Sequence, residues 1–209
     1  VECFGGIPRM EKISWLRKWM LIEGYDKVLL SSLDEVAWML NVRGSDIEYN
    51  PLVISYLLVS QDYVKWFVKK TVTDSELDPD TLDSFAELRM DGVDVEDYDA
   101  VFFALSDFGS DEGSGVIFID PSTLNSNVYK YISGCFPADS IVCGTSPVIL
   151  EKSVKTPSEI ENLRQTYIDD GVAMECFLHW LEDEVATGRE VTEWEASERL
   201  TSFRSGIPG

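Results

Sequence analysis

The chain has 209 residues, 44% of them hydrophobic, with 38 acidic residues against 17 basic ones and a formal charge of −21. A chain of this size and apolar content buries a real core and reads as one domain plus part of a second, which excludes collagen-like and disordered classes. A surface this acidic repels nucleic acid and anionic membranes; it favours solubility and leaves open an attraction for basic partners or metal cations.

Along the chain, Met10, Ile13, Leu16, Met20 and Leu21 recur at helical spacing and predict a first helix over Pro8–Glu23, stopped by Gly24. Lys27–Ser31 reads as a short buried strand. Ser32 followed by Glu35 has the spacing of a capping box ahead of a helix over Leu33–Leu40. A polar loop, Asn41–Pro51, leads into two β-rich runs, Leu52–Ser60 and Tyr63–Val68, split by Gln61-Asp62 as in a hairpin. An acidic connector over Thr71–Asp80 precedes a helix near Thr81–Met90, a strand over Val93–Glu96 and a helix over Tyr98–Phe108. A flexible loop over Gly109–Gly115, a strand over Val116–Asp120, a helix over Ser122–Ser133 and a strand over Ser140–Cys143 complete the alternation. The pattern predicts an α/β fold, with a mixed β-sheet flanked by helices.

Near Ser146–Lys155 the character changes to helix only, so residues 1–150 form the α/β domain and 151–209 begin a second one. Thr156, Pro157 and Glu159 combine three helix-start signals. Ile160, Leu163, Tyr167, Gly171, Met174, Leu178, Leu181 and Val185 then form one stripe of a helix over Pro157–Ala186, about 45 Å long at ~1.5 Å per residue. Thr192 and Glu195 start another helix. Val1 in place of Met, and an end soon after this second helix, predict a piece of a longer gene product in which the long apolar stripe stays exposed and drives association.

Candidate chemistry is sparse. His179, between Leu178 and Trp180 on the long helix, is the only histidine and reads as a helix residue packed beside a Trp rather than as a ligand or base. Cysteines 3, 135, 143 and 176 show no C-x-x-C spacing; they read as reduced thiols, with Cys176 in a core. The acidic clusters Asp78–Asp80, Asp94–Asp99, Asp169-Asp170 and Glu182–Glu184 match no calcium loop and read as solvated surface. The Gly109–Gly115 loop carries Asp111 and Glu112, lacks a Lys-Ser/Thr ending and precedes a strand, which is wrong for cradling phosphate. The segment Asn41-Val-Arg-Gly-Ser-Asp-Ile-Glu-Tyr-Asn-Pro51 is the most distinctive: Arg43 and Asp46 are placed to pair across a Gly-Ser turn, and Tyr49 sits on the loop. It reads equally as a structural turn or as a ligand-facing loop.

That segment, extended back to Ser32 through Trp38, resembles the middle domain of the three-domain Xaa-Pro aminopeptidases of the soluble type. A second stretch, Ser146-Pro147 to Lys152 and Lys155 to Glu161, then Asp170-Gly171, Phe177 to Glu182, Thr192-Glu193 and Phe203-Arg204, resembles the junction and opening helices of their pita-bread catalytic domain. The resemblance implies a creatinase/prolidase-like N-terminal domain in a cytoplasmic enzyme that removes an N-terminal residue preceding proline, using two divalent cations, commonly manganese. The metal ligands and catalytic histidines of that family fall beyond Arg204, so no catalytic or metal residue is assigned and this chain by itself is expected to be inactive. Arg43, Asp46 and Tyr49 are the expected substrate-cleft edge, and peptides with proline second are the expected substrate. A homodimer is a further expectation. The alternative is a catalytically dead peptidase-like binding module of the histone-chaperone type, which an acidic surface suits.

Overall fold

The computed structural model describes residues 6–69, 79–110 and 115–206. The chain divides into two compact units, Val1–Lys155 and Thr156–Gly209. The first is built, in order, from α1 (Arg9–Glu23), β1 (Lys27–Leu30), α2 (Leu33–Leu40), β2 (Ser55–Ser60), β3 (Val64–Val68), α3 (Pro79–Met90), β4 (Val93–Asp97), α4 (Ala100–Ser110), β5 (Ile117–Ile119), α5 (Ser126–Cys135), β6 (Ile141–Cys143) and α6 (Pro147–Ser153). The connector predicted over Thr71–Asp80 lies outside the described residues except for its last two, as does the centre of the Gly109–Gly115 loop; its first two residues end α4.

The six strands form one mixed sheet in the order β4-β3-β2-β1-β5-β6. β2 pairs antiparallel with both β1 and β3, while β3–β4, β1–β5 and β5–β6 are parallel, so β2 alone runs against the rest. The expected hairpin is β2–β3. Its turn is closed by Ser60, whose N–H donates to the Tyr63 carbonyl at 2.9 Å and whose Oγ accepts from the amides of Asp62 and Tyr63.

Strand alternation sorts the core into two layers, because successive side chains face opposite sides of a sheet. Val28, Leu30, Leu57, Val59, Val64 and Trp66 pack with Ile13, Leu16 and Met20 of α1, Val36, Met39 and Leu40 of α2, and Phe85 and Leu88 of α3. Leu29, Tyr56, Leu58, Phe67, Ile117 and Ile119 face the other way, onto Val101 and Leu105 of α4 and Val128 and Ile132 of α5. Each fully buried aliphatic or Phe side chain contributes about 1.5–3 kcal/mol. The two central strands β2 and β1 are apolar on both faces for this reason. At one edge, β4 alternates buried Val93 and Val95 with acidic Asp94 and Glu96, a pattern that discourages edge-to-edge pairing.

Two local expectations fail. Ser32 and Glu35 do not form a capping box: Ser32 Oγ donates to Asp34 Oδ1 at 2.5 Å, and Glu35 turns inward to a distant partner. The segment read only as a boundary contains α6, a helix of seven residues capped by Ser146, whose side chain accepts from the Val148 amide.

In the second unit, α7 (Pro157–Ala186) and α8 (Glu193–Ser205) form an antiparallel hairpin. The predicted capping box at Thr156 is present: the Glu159 amide donates to Thr156 Oγ1 at 3.2 Å and the Thr156 amide to Glu159 Oε2 at 2.8 Å. Polar and cation–π contacts hold the pair. Arg204 forks onto both carboxylate oxygens of Asp170, Arg189 bridges Glu184 and Glu195, and Arg199 lies over the rings of Trp180 and Phe203. Tyr167 and Val185 on the long stripe are 76% and 62% exposed, and Ala173 is the one buried residue of α7. Cys176 is exposed, so it is not the core residue that its helical position suggested; the stripe it neighbours is itself open. His179 is likewise exposed on the helix. Its side chain is 78% exposed and stands 3.6 Å from Asp183, one turn on.

Candidate functional site: the Asn41–Ile54 loop and its footing

The loop starts where α2 ends. Asn41 takes a left-handed conformation, φ 54°, that terminates the helix, and its side chain is buried. Its Oδ1 accepts from Lys12 Nζ at 2.5 Å and its Nδ2 donates to the Ile7 carbonyl at 2.9 Å. Lys12 also donates to the Trp38 carbonyl at 2.7 Å and stands over the Trp38 ring at 4.3 Å. A buried ammonium is thus kept hydrogen-bonded, as burial requires.

Arg43 and Asp46 do not pair with each other. Arg43 Nη1 donates to the Val42 carbonyl at 2.8 Å and lies 3.5 Å from the Ala37 carbonyl, at the negative end of α2. Asp46 Oδ2 instead accepts from the Ile54 amide at 2.8 Å and closes the loop across eight residues. The carbonyl end of a helix offered Arg43 a nearer partner than the exposed carboxylate. The Gly44 amide donates to the Pro51 carbonyl at 3.3 Å, and a Cβ at Gly44 would run into Val53 Cγ2, so the two arms of the loop approach as only glycine allows. At the tip the Asn50 amide donates to the Ile47 carbonyl. Tyr49 within this turn has φ 62° and is 92% exposed.

Behind α2 lies a feature that motif reading did not single out. Glu35, 2% exposed, accepts from Ser146 Oγ at 2.5 Å, while Asp120 at the end of β5 accepts from the Ser146 amide at 2.9 Å and from the amide and hydroxyl of Ser122. On the rim, Lys152 of α6 forms an ion pair with Asp34 of α2. Burial pushes the Glu35 carboxyl above its ordinary value; the Ser146 hydrogen bond pulls against it, and the charges of Asp34 and Asp120 add to it. For Asp120 burial also pushes upward, but the bonds from Ser122 and the Ser146 amide prevail and hold it low. Asp34 is likewise lowered, the Lys152 and Ser32 bonds outweighing its burial. This cluster pins α6 to α2 and β5. A two-residue S-P start and an S-x-x-E pattern were its only traces in the sequence.

Among the described residues no three His, Cys, Asp or Glu side chains gather as a metal site requires. The lone histidine pairs with one carboxylate on an exposed helix face, so these residues do not fit a di-metal centre. No helix among them is long and apolar enough to cross a membrane.

A three-layer α/β unit whose mixed sheet carries this loop at the end of α2 defines a class. The chain belongs to the creatinase/prolidase N-terminal domain family, whose model matches residues 2–159. It is 33% identical over 204 residues to Xaa-Pro aminopeptidase 1 of Dictyostelium discoideum, covering 96% of this chain and 30% of that protein. It is 36% identical over 206 residues to Xaa-Pro aminopeptidase 2 of Mus musculus, covering 96% of this chain and 29% of that one. Among solved structures, the X-prolyl aminopeptidase of Caenorhabditis elegans, described as a cytosolic enzyme with a di-nuclear active site, superposes with a TM-score of 0.85 at 28% identity over 98% of this chain and 32% of its own. The chain therefore spans about 30% of the length of the curated relatives it matches.

Proposed function

We propose that this chain is the non-catalytic front part of a cytoplasmic, metal-dependent aminopeptidase that removes the N-terminal residue preceding proline. The observation that carries the reading is the likeness to the C. elegans enzyme across 98% of the chain. In this reading, residues outside this chain would hold two divalent cations, manganese being the expected metal, and would supply the proton-transfer groups. When bound, such a metal pair would supply Lewis-acid chemistry for amide hydrolysis. This chain contributes the domain beside the cleft, with Arg43, Asp46 and Tyr49 at its edge. There Arg43 and Asp46 act indirectly, since both are committed to backbone partners that fix the loop.

A second reading, a catalytically dead module that binds basic proteins, is favoured by one observation, the charge of −21. Hydrolysis of an Xaa-Pro peptide with manganese present, by the full-length gene product and by the 209-residue chain side by side, separates the two. The peptidase reading expects turnover by the longer protein alone. Turnover by neither, together with histone binding that weakens with salt, selects the binding module.

A further inference from the structure

We infer that Tyr49 is a specificity-determining contact for the part of a peptide substrate that follows the proline. The inference rests on the peptidase reading above and deepens it. An aromatic residue at φ 62° occupies backbone space that side chains other than those of Gly, Asn and Asp rarely enter. Such a conformation persists only where the surroundings impose it. Here they do: Asn41 is tied to Lys12, Asp46 to the Ile54 amide, Gly44 to Pro51 and Asn50 to Ile47, so both arms and the tip of the loop are fixed. The outcome is a phenol ring held at the tip with 92% of its surface open to solvent. A rigid loop that presents a large, two-torsion aromatic at low entropic cost has the character of a binding anchor rather than of a core residue.

Which part of the substrate it meets follows from the reaction. An aminopeptidase of this kind has a single residue on the amino side of the scissile bond. The long part of the substrate open to a contact from this loop is therefore the run of residues beyond proline. An apolar ring face suits extended backbone and side chains there without demanding a sequence.

The experiment uses the full-length gene product as wild type, Tyr49→Gly and Tyr49→Phe, with an Xaa-Pro tripeptide and an Xaa-Pro nonapeptide as substrates, and a melting temperature for each protein. Tyr49→Gly is expected to raise KM for the nonapeptide about tenfold, the scale of one lost apolar contact. The tripeptide, with a single residue beyond the proline, should respond much less, and Tyr49→Phe, which keeps the ring, should retain most of the nonapeptide affinity. The Tm of Tyr49→Gly is expected to equal or exceed that of wild type, since glycine accepts the positive φ. Equal effects on both substrates, no effect on either, or a fall in Tm that carries both substrates down together overturns the inference while leaving an active wild type, and so the peptidase reading, in place. A wild type that cleaves neither peptide removes the peptidase reading and this inference with it.

Discussion

Ser146 Oγ donates to Glu35 Oε2 at 2.5 Å, joining the cap of α6 to the first turn of α2 across 111 residues of sequence. The hydroxyl also accepts from the Val148 amide, so one side chain caps a helix and satisfies a buried carboxyl. Ser146→Ala removes both roles. The expected loss is about 2–3 kcal/mol at neutral pH, summing a lost cap and a buried acceptor left short of a donor. Urea unfolding followed by tryptophan fluorescence measures it; a loss within about 0.5 kcal/mol, the range of ordinary surface changes, would show that the bond does not hold α6.

Glu35 gives the same cluster a pH dependence with a definite sign. Its folded pKa is raised, so the folded state binds the proton more tightly than the unfolded chain does. The stability it contributes is complete below the ordinary glutamate value of 4.5 and is lost as pH rises through the raised folded value. Glu35→Gln keeps an acceptor for Ser146 and cannot ionise. Relative to wild type it should gain stability between mildly acidic and neutral pH and flatten the profile there. Parallel profiles for the two proteins across that window would overturn this.

Asp120 and Asp34 act with the opposite sign on the acid side. Both are lowered, so their contribution is present above the ordinary aspartate value of 3.8 and is lost as pH falls through the lower folded values. Asp120→Asn removes an anion that accepts three hydrogen bonds, two from Ser122 and one from Ser146. It should destabilise the protein at neutral pH and blunt its acid unfolding limb. Equilibrium unfolding of both proteins at a series of pH values checks this, and an unchanged acid limb would assign acid unfolding to other carboxylates.

Much of the first unit was legible because its sheet is buried on both faces: continuous apolar runs such as Leu57–Val59 and Phe118–Ile119 leave few alternatives to a strand between helices. The start of α7 was legible because Thr156 and Glu159 cap each other within four residues and Pro157 sits at the first helical position. The failures have different causes, and only the first is a tertiary partner overriding a local pattern. Ser32-x-x-Glu35 has the same spacing as Thr156-x-x-Glu159, but Ser146 captures Glu35 from far along the chain. Arg43 and Asp46 each found a backbone partner that spacing does not encode. The seven residues of α6 are too few for a hydrophobic period, and only Val148 among them is buried.

Arg9 tests a different balance. Its side chain is 8% exposed, and among the described residues its charge is answered by Asp91 at 3.4 Å and Glu87 at 3.9 Å, while Nε and Nη1 find no hydrogen-bond partner there. Desolvating a guanidinium for contacts of this length returns little, and buried pairs are often replaced by apolar side chains without loss. Arg9→Met should therefore change stability by less than about 1 kcal/mol. Asp91→Ala, which strips the nearer anion from a buried cation, should cost more. The reverse order in denaturant unfolding would mean that the ion pair is a net source of stability.

The open stripe of α7 carries the last expectation. Leu163, Tyr167, Leu178 and Val185 stay exposed on a helix that meets α8 through ion-pair and cation–π contacts. Apolar surface of this extent favours association, while the charge of −21 opposes it. The two respond differently to salt: screening shortens the repulsion to about 8 Å at physiological ionic strength and leaves apolar contact intact. Sedimentation of the 209-residue chain should therefore show self-association that strengthens with both protein concentration and salt. Replacing Tyr167 and Leu178 together by Lys should abolish it. Association that weakens with salt would point instead to ionic contacts, and a monomer under all conditions would show that the stripe is too dispersed to act as a surface.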